Sequence, residues 1–152
     1  MRMTYKGDYA LKILLDLTLN YHKGQEQQEL VQIKDIANRQ DIPKKYLEQI
    51  ITTLKGAGFI RSKRGASGGV QLAKQPGSIK LGEVIRLMDG TTSPITCVSR
   101  TEHSKCGFYQ RCPFKPLWID IRDYVNNIVD NTTFADIADK YKVTEKCLDY
   151  TI

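Results

Sequence analysis

The chain has 152 residues, of which 41% are hydrophobic and 26% are charged, and its formal net charge is +6. This size and composition are typical of one folded domain with an appended helical segment, and they exclude a disordered chain. No apolar run approaches the roughly 18 residues that span a membrane, and the N-terminus lacks the features of a signal peptide, so we expect a cytoplasmic protein without a membrane partner.

Two helices are predicted before residue 40. Apolar residues recur at helical spacing between Tyr9 and Leu17, which predicts a first helix from residue 8 to about residue 22. After a polar loop, a second apolar pattern predicts a short helix from residue 33 to about residue 39.

A turn and a third helix follow. Pro43 restricts the residue before it to extended conformations, so residues 41–43 are predicted to form the turn, with Pro43 at or near the first helical position. Gly56 and Gly58 are predicted to end this helix, because glycine can adopt the left-handed conformation that closes a helix. The buried face of the third helix is predicted to contain Tyr46, Leu47, Ile50, Ile51 and Leu54.

A β-hairpin is predicted next. Residues 59–62 and 70–73 are typical of two short strands. Between them, residues 63–69 read Lys-Arg-Gly-Ala-Ser-Gly-Gly, which predicts a basic, glycine-rich hairpin tip.

The second half of the chain is predicted to be helical around one irregular loop. Residues 79–88 indicate a fourth helix that ends at Gly90, whereas residues 91–115 show no periodicity and hold three of the cysteines. A long amphipathic helix is predicted over residues 116–131, and a last short helix over residues 134–141.

Two helices joined by a tight turn and followed by a basic hairpin are the pattern of a winged helix-turn-helix. We therefore expect a mainly helical fold with a small β-hairpin wing. Its predicted parts are a DNA-binding domain over residues 1–90, a cysteine-containing loop over residues 91–115, and a dimerisation helix with a C-terminal segment over residues 116–152. The long helix is assigned to a dimer because its apolar stripe requires burial, which a two-fold interface provides.

This pattern suits double-stranded DNA. The major groove is about 12 Å wide and admits one helix whose polar face presents donors and acceptors to base edges. Glu48 and Gln49 can pair with base edges, and Arg64 at the hairpin tip suits the narrow, electronegative minor groove. The candidate DNA-contacting residues are Lys44, Lys45, Tyr46, Glu48, Gln49 and Thr52 of the third helix and Ser62, Arg64, Gly65 and Gly68 of the hairpin.

The positive charge is concentrated in the same region. Residues 1–75 contain 13 of the 23 basic residues and 7 of the 17 acidic residues, so they carry the whole excess. A basic face is typical of proteins that bind a polyanion. The alternative is a solvated basic surface, and the helix pair and hairpin decide between the two in favour of DNA.

Three stretches of this region resemble the Rrf-type family of winged-helix transcription regulators. They cover residues 46–51, 54–60 and 64–73, and the whole resemblance extends from residue 1 to about residue 142. It implies a homodimer that binds a roughly palindromic operator, with the third helix in the major groove and the wing in the minor groove. The wing of the family usually reads Gly-Pro-Gly-Gly-Gly, whereas Ala66 and Ser67 intervene here, and this affects its fine geometry.

Cys97, Cys106 and Cys112 are separated by eight and five residues in the predicted loop. Soft thiolates prefer zinc or iron–sulfur clusters, and the two-residue spacing of a zinc knuckle is absent. Nearby cations favour the thiolate form; they belong to Arg100, Lys105, Arg111 and Lys115. The alternative is three ordinary thiols, of which one pair can oxidise. A disulfide framework is not expected in a reducing compartment, and Cys147 is predicted to be a free thiol.

The cluster-binding members of the family, which are IscR-like and NsrR-like, carry three cysteines in this same loop. The resemblance therefore implies an iron–sulfur cluster, either 2Fe–2S or 4Fe–4S. IscR-like members use a histidine three residues after the last cysteine as the fourth ligand, but this position is Lys115 here. NsrR-like members use an aspartate at the start of the first helix of the partner subunit, which Asp8 matches. Asp8 can alternatively be a first-turn carboxylate that the helix dipole favours, and His103 is the rival ligand.

The sequence thus predicts a transcription regulator, specifically a repressor, whose operator binding is modulated by an iron–sulfur cluster. It would control iron–sulfur cluster biogenesis or a redox or nitric-oxide response. The alternative is a cluster-free thiol-redox or zinc-structured regulator, or a regulator of cysteine metabolism that acts through a partner enzyme. An enzyme is not expected, because the sequence shows no Ser/His/Asp set, phosphate loop or paired general acid and base.

Overall fold

Over residues 3–22, 29–65, 67–102 and 104–149, of which the last five are described through their backbone alone, the computed structural model contains six helices and one β-hairpin. The helices are α1 (Tyr5–Leu19), α2 (Ile33–Gln40), α3 (Lys44–Gly56), α4 (Leu81–Asp89), α5 (Lys115–Asn131) and α6 (Phe134–Asp149). The strands are β1 (Ile60–Lys63) and β2 (Gly69–Leu72), and short 3-10 turns lie at Pro76–Ser78 and Thr96–Val98. The prediction of a mainly helical fold with a small hairpin is confirmed. Within these ranges, no helix is both long and apolar enough to cross a bilayer.

Helix α1 lies at the centre of the fold and contacts α2, α3, α4 and α6. Its buried apolar side chains are those of Ala10, Ile13, Leu14 and Leu17. The hydroxyl of Thr4 accepts a hydrogen bond from the N–H of Gly7 (3.2 Å), which caps the first turn. Because of this cap, α1 begins at Tyr5 rather than at the predicted residue 8. The helix ends at Leu19 rather than at the predicted residue 22.

Helices α2 and α3 are joined by the tight turn predicted before Pro43. Asp41 closes α2 in the left-handed conformation, with φ at 50°. Pro43 has an extended ψ of 127°, so α3 begins one residue later, at Lys44. The buried face of α3 follows positions 47, 50, 51 and 54. Tyr46 lies one position before this face and is 51% exposed, so its predicted burial is wrong.

A buried carboxylate fixes α2 against α1. Asp16, whose side chain is 3% exposed, accepts hydrogen bonds from Nε and Nη2 of Arg39 at 2.9 and 2.8 Å. It also accepts a bond from Nε2 of Gln40 at 3.1 Å. Helix α2, the first helix of the predicted helix-turn-helix, is therefore held against α1 by a paired, hydrogen-bonded charge.

Arg39→Ala is expected to lower the free energy of unfolding by about 3 kcal/mol, because it leaves the Asp16 carboxylate buried without its cation. Asp16→Ala is expected to cost less, since the Arg39 side chain is 46% exposed and can turn to water. Urea denaturation of both variants measures this order. A larger loss of stability for Asp16→Ala than for Arg39→Ala would show that an unpaired, buried Asp16 carboxylate is not the main cost.

The wing packs beside the start of α2. Strands β1 and β2 pair antiparallel, with Ile60 opposite Leu72, and their bounds differ by one residue from the predicted ones. Val31 extends the hairpin by exchanging two backbone hydrogen bonds of 2.9 Å with Val70. Gly65 at the tip has φ at 113°, a conformation that side chains disfavour.

In the second half of the fold, a short antiparallel bridge joins the extended segments that precede α4 and α6. Lys80 pairs with Thr133, and the N–H of Leu81 donates to the carbonyl of Thr132 (3.0 Å). Helix α4 therefore begins at Leu81, two residues later than predicted. Helix α6 extends beyond the predicted end at residue 141, because the residues after it include neither glycine nor proline.

Candidate nucleic-acid interface and cysteine loop

An open groove of about 560 Å³ lies between α3 and the wing. Seven of the predicted DNA-contacting residues line it, namely Lys44, Glu48, Thr52, Ser62, Arg64, Gly65 and Gly68. The helix-turn-helix and the hairpin therefore present one continuous surface, although these residues come from two parts of the chain.

The other three predicted residues lie on α3 outside this groove. Lys45 and Gln49 are exposed, and so is Tyr46. These side chains can reach DNA that the helix itself enters, whereas the groove residues face the space between helix and wing. Their assignment to DNA contact remains a prediction.

Three further lysines line the groove and were not among the predicted contacts: Lys34, Lys55 and Lys63. Together with Lys44 and Arg64 they place five cations beside one carboxylate, that of Glu48. The concentration of basic residues in the first half of the sequence indicated such a surface. It could not identify Lys34, which lines the groove because Val31, just before α2, pairs with Val70 of the wing.

Glu48 is loosely held and therefore available to a ligand. Its carboxylate lies 3.9 Å from the Nζ of Lys44, and both side chains are more than half exposed. An exposed pair of this kind contributes little to stability. Glu48 can therefore exchange Lys44 for an amino group at a base edge at little cost.

The start of the cysteine loop is fastened to α5. Nη1 of Arg122 donates to the carbonyl of Val98 at 2.8 Å, and Arg100 pairs with Asp123 at 2.8 Å. The hydrogen bond from Arg122 lowers the pKa of Asp123, and Arg100 acts in the same direction. The buried hydroxyl of Ser99 also accepts two backbone N–H bonds from within the loop.

The three loop cysteines are free thiols. Cys97 and Cys112 are half-buried, and Cys106 is exposed. Cys97 and Cys106 line one cavity of about 510 Å³, and Cys112 does not line it. Thiols are suitable donors for an iron–sulfur cluster, yet among the described residues no three His, Cys, Asp or Glu side chains are grouped to hold a metal ion. The thiols therefore fit a cluster in chemistry, although the described residues of one chain do not group them around a metal position.

Of the candidate fourth ligands, Asp8 makes an ion pair, and His103 lies outside the residues that the structure describes. The carboxylate of Asp8 is half-exposed and pairs with Lys12 at 2.9 Å, which raises the pKa of that lysine. Nζ of Lys115, at the position of the absent histidine, lies 3.7 Å from the centre of the Tyr109 ring. His103 and the side chain of Cys147 fall outside the described residues, as does Ala66 of the wing.

Helix α5 carries an exposed apolar stripe. Its members recur at spacings of four, three and four residues and are Leu117, Ile121, Tyr124 and Ile128, with exposures of 51, 36, 70 and 48%. This spacing places all four on one side of the helix. A stripe of this length is typical of a helix that packs against another helix.

Comparison with known proteins agrees with this geometry. A family model described as "Rrf2: Iron-dependent Transcriptional regulator" matches residues 3–140. The chain is 34% identical over 138 residues to the HTH-type transcriptional regulator CymR of Bacillus subtilis, covering 91% of this chain and 90% of that protein. It is also 34% identical over 145 residues to IscR of Enterobacter sp., covering 95% and 84% respectively.

Solved structures show the same similarity. The structure of CymR, described as the global cysteine regulator of B. subtilis, matches with a TM-score of 0.75 at 33% identity, covering 92% of this chain and 98% of that one. The structure of T. potens IscR matches with a TM-score of 0.70 at 30% identity, covering 93% and 88%. These relatives are transcription regulators rather than enzymes. The chain therefore belongs to the Rrf2 family and is a DNA-binding transcription regulator with a winged helix-turn-helix.

Proposed function

We propose that this regulator is a homodimeric repressor that binds a palindromic operator, with α3 in the major groove and the wing in the minor groove. The observation that carries the proposal is the groove between α3 and the wing, where five cations lie beside glycine backbone. Lysine and arginine at this density neutralise phosphates and release counterions, which supplies affinity. Glu48 and Gln49 supply the groups that read base edges.

A second copy of the chain is proposed to cover the apolar stripe of α5. The stripe from Leu117 to Ile128 is exposed in one chain, and a two-fold axis brings identical stripes together. In helix-turn-helix dimers, such an axis sets two recognition helices about 34 Å apart, which is one turn of DNA. A palindromic operator is the natural ligand of such a dimer.

An iron–sulfur cluster is proposed to be held by Cys97, Cys106 and Cys112, with Asp8 of the second copy as the fourth ligand. When bound, the cluster supplies a group that oxidants, nitric oxide or iron shortage can remove. Asp8 would exchange its ion pair with Lys12 for the metal. Because Arg100 and Arg122 fasten the loop to α5, a rearrangement of the thiols would reach the proposed dimer helix. There it would change the angle between the two recognition helices.

Cys112→Ser is expected to abolish the visible absorption of the anaerobically reconstituted regulator, because it removes one of three thiolate ligands. Cys147→Ser, the same substitution outside the loop, is the matched control and is expected to leave the spectrum unchanged. Asp8→Ala is expected to keep absorption with an altered spectrum and faster bleaching in air. An unaltered spectrum for Asp8→Ala would remove that residue from the site.

Operator affinity of the cluster-loaded and cluster-free regulator is expected to differ by about tenfold. Fluorescence anisotropy with a labelled operator measures both forms under the same anaerobic conditions. Equal affinities would contradict the sensor role and leave the DNA-binding role standing.

A second candidate is a cluster-free regulator that responds to thiol oxidation or to cysteine supply. It is favoured by the equal identity to CymR and IscR and by the three thiols that are not grouped around a metal position. A regulator that stays colourless after anaerobic reconstitution would support this candidate over the first.

A further inference from the structure

Two of the loop cysteines open into the same space. Cys97 and Cys106 both line the cavity of about 510 Å³, together with Ser104, Lys105 and Tyr109. Cys106 is exposed and Cys97 is half-buried, so a small reagent can reach the first sulfur directly. Cys97 lines the same cavity as Cys106.

A hydrogen bond holds the two cysteine-bearing segments side by side. Oγ1 of Thr96 and Oγ of Ser104 are 2.7 Å apart, and each lies within two residues of one cysteine. A disulfide requires the two Cα atoms to be about 4.4–6.8 Å apart. The described residues between them, 98–102 and 104–105, lie outside the α-helices, and Val98 ends a 3-10 turn, so no helix has to unwind there for the two cysteines to approach each other.

The third cysteine, Cys112, begins a different turn from Cys106 and does not line the cavity. The N–H of Tyr109 donates to the carbonyl of Cys106 (3.1 Å), and the N–H of Lys115 donates to the carbonyl of Cys112 (3.3 Å) at the start of α5. Cys112 therefore lies in the turn just before α5, whereas Cys106 lines the cavity.

We infer that Cys97 and Cys106 form a dithiol site that a low-molecular-weight disulfide, such as oxidised glutathione, converts to an intramolecular disulfide. The sulfur of Cys106 attacks the reagent and forms a mixed disulfide, which releases one glutathione thiol. The sulfur of Cys97 then attacks the protein-bound sulfur and releases the second glutathione. Two protein thiols are oxidised by two electrons, one disulfide reagent is reduced to two thiols, and Cys112 keeps its thiol.

This bond would be felt in α5. Cys97 precedes Val98, whose carbonyl is held by Arg122 of α5. Forming the disulfide would move Val98 and disturb this hydrogen bond. The site would therefore transmit thiol oxidation to α5 when no cluster is bound. The effect on DNA rests on the proposed function, whereas the disulfide itself does not.

The test uses the full-length, cluster-free regulator, purified under reducing conditions with an iron chelator and then treated with oxidised glutathione. Remaining thiols are alkylated, and the tryptic peptides are analysed by mass spectrometry. Cleavage after Arg100, Lys105 and Arg111 places the three cysteines on separate peptides, which cover residues 87–100, 106–111 and 112–122. The expected product joins the first two peptides with the loss of two hydrogens, and the third is alkylated.

Variants separate this pairing from its alternatives. Cys112→Ser is expected to form the link as the unmodified chain does, whereas Cys106→Ser is expected to carry no link. A link between peptides 106–111 and 112–122, or glutathione on all three cysteines without any link, would overturn the inference. In the Cys112→Ser background, oxidation is expected to weaken operator binding about fivefold or more; an unchanged affinity would overturn the coupling. A reduced chain that binds no operator would instead contradict the proposed function. The tryptic peptides would still test the disulfide between Cys97 and Cys106.

Discussion

Ile121→Asp is expected to leave the regulator monomeric and to weaken operator binding about a hundredfold or more. Ile121 lies in the middle of the exposed apolar stripe of α5, and an aspartate there would place a charge in the proposed two-fold seam. A monomer can engage only one half-site, so it loses the high effective concentration that links the two binding events. Sedimentation velocity measures the oligomeric state, and anisotropy with a labelled operator measures the affinity.

A matched control for this experiment is Val143→Asp. Val143 lies on α6 and is 63% exposed. This substitution therefore also replaces an exposed aliphatic side chain with a carboxylate. It is expected to remain dimeric and to bind the operator normally. A dimeric Ile121→Asp variant with unchanged affinity would show that another surface joins the two copies.

Arg64→Ala combined with Gln49→Ala is expected to weaken operator binding by a hundredfold or more, since a lost base-edge contact alone is worth about 1–3 kcal/mol in each half-site. The two single variants are expected to differ in salt dependence. Arg64→Ala removes a cation, and each lost phosphate contact lowers the slope of log affinity against log salt by about 0.9, hence about twice that in a symmetric dimer. Gln49→Ala is neutral and is expected to keep the slope while reducing discrimination between operators.

Lys140→Ala provides the control for the loss of a cation. This lysine is exposed on α6, outside the groove between α3 and the wing, and its removal is expected to change neither affinity nor slope. If the double variant kept both the affinity and the salt slope of the unmodified chain, the wing and α3 would not be the DNA-binding surface.

Local sequence patterns predicted most of the architecture. Pro43 and the glycines around residue 57 placed α3 to within one residue, and the hairpin strands were also correct to within one residue. Such features depend on backbone preferences of neighbouring residues, which a sequence displays directly. The ends of α1 and α6 were less accurate, because Thr4 caps the first and no breaker residue ends the second after residue 141.

The basic groove that is proposed to bind DNA was indicated by the sequence, but not all of the residues that line it were predicted. The charge excess indicated a basic face, but Lys34 lines the groove because Val31, just before α2, pairs with Val70 of the wing. Tyr46 was expected in the core and is exposed. A periodic pattern identifies the apolar face of a helix, but it does not show which residues at the edge of that face other elements cover. Its place among the DNA contacts stays a prediction.

The sequence by itself determined the order of helices and strands, the winged helix-turn-helix, the apolar stripe of α5 and the set of available thiols, because each depends on residues close together in the chain. Only the tertiary structure decided that Asp16 anchors Arg39, that Lys34 joins the groove, and that Cys97 and Cys106 line one cavity. These relations join residues distant in sequence or on opposite sides of a turn. Packing sets such distances, and no local pattern contains them.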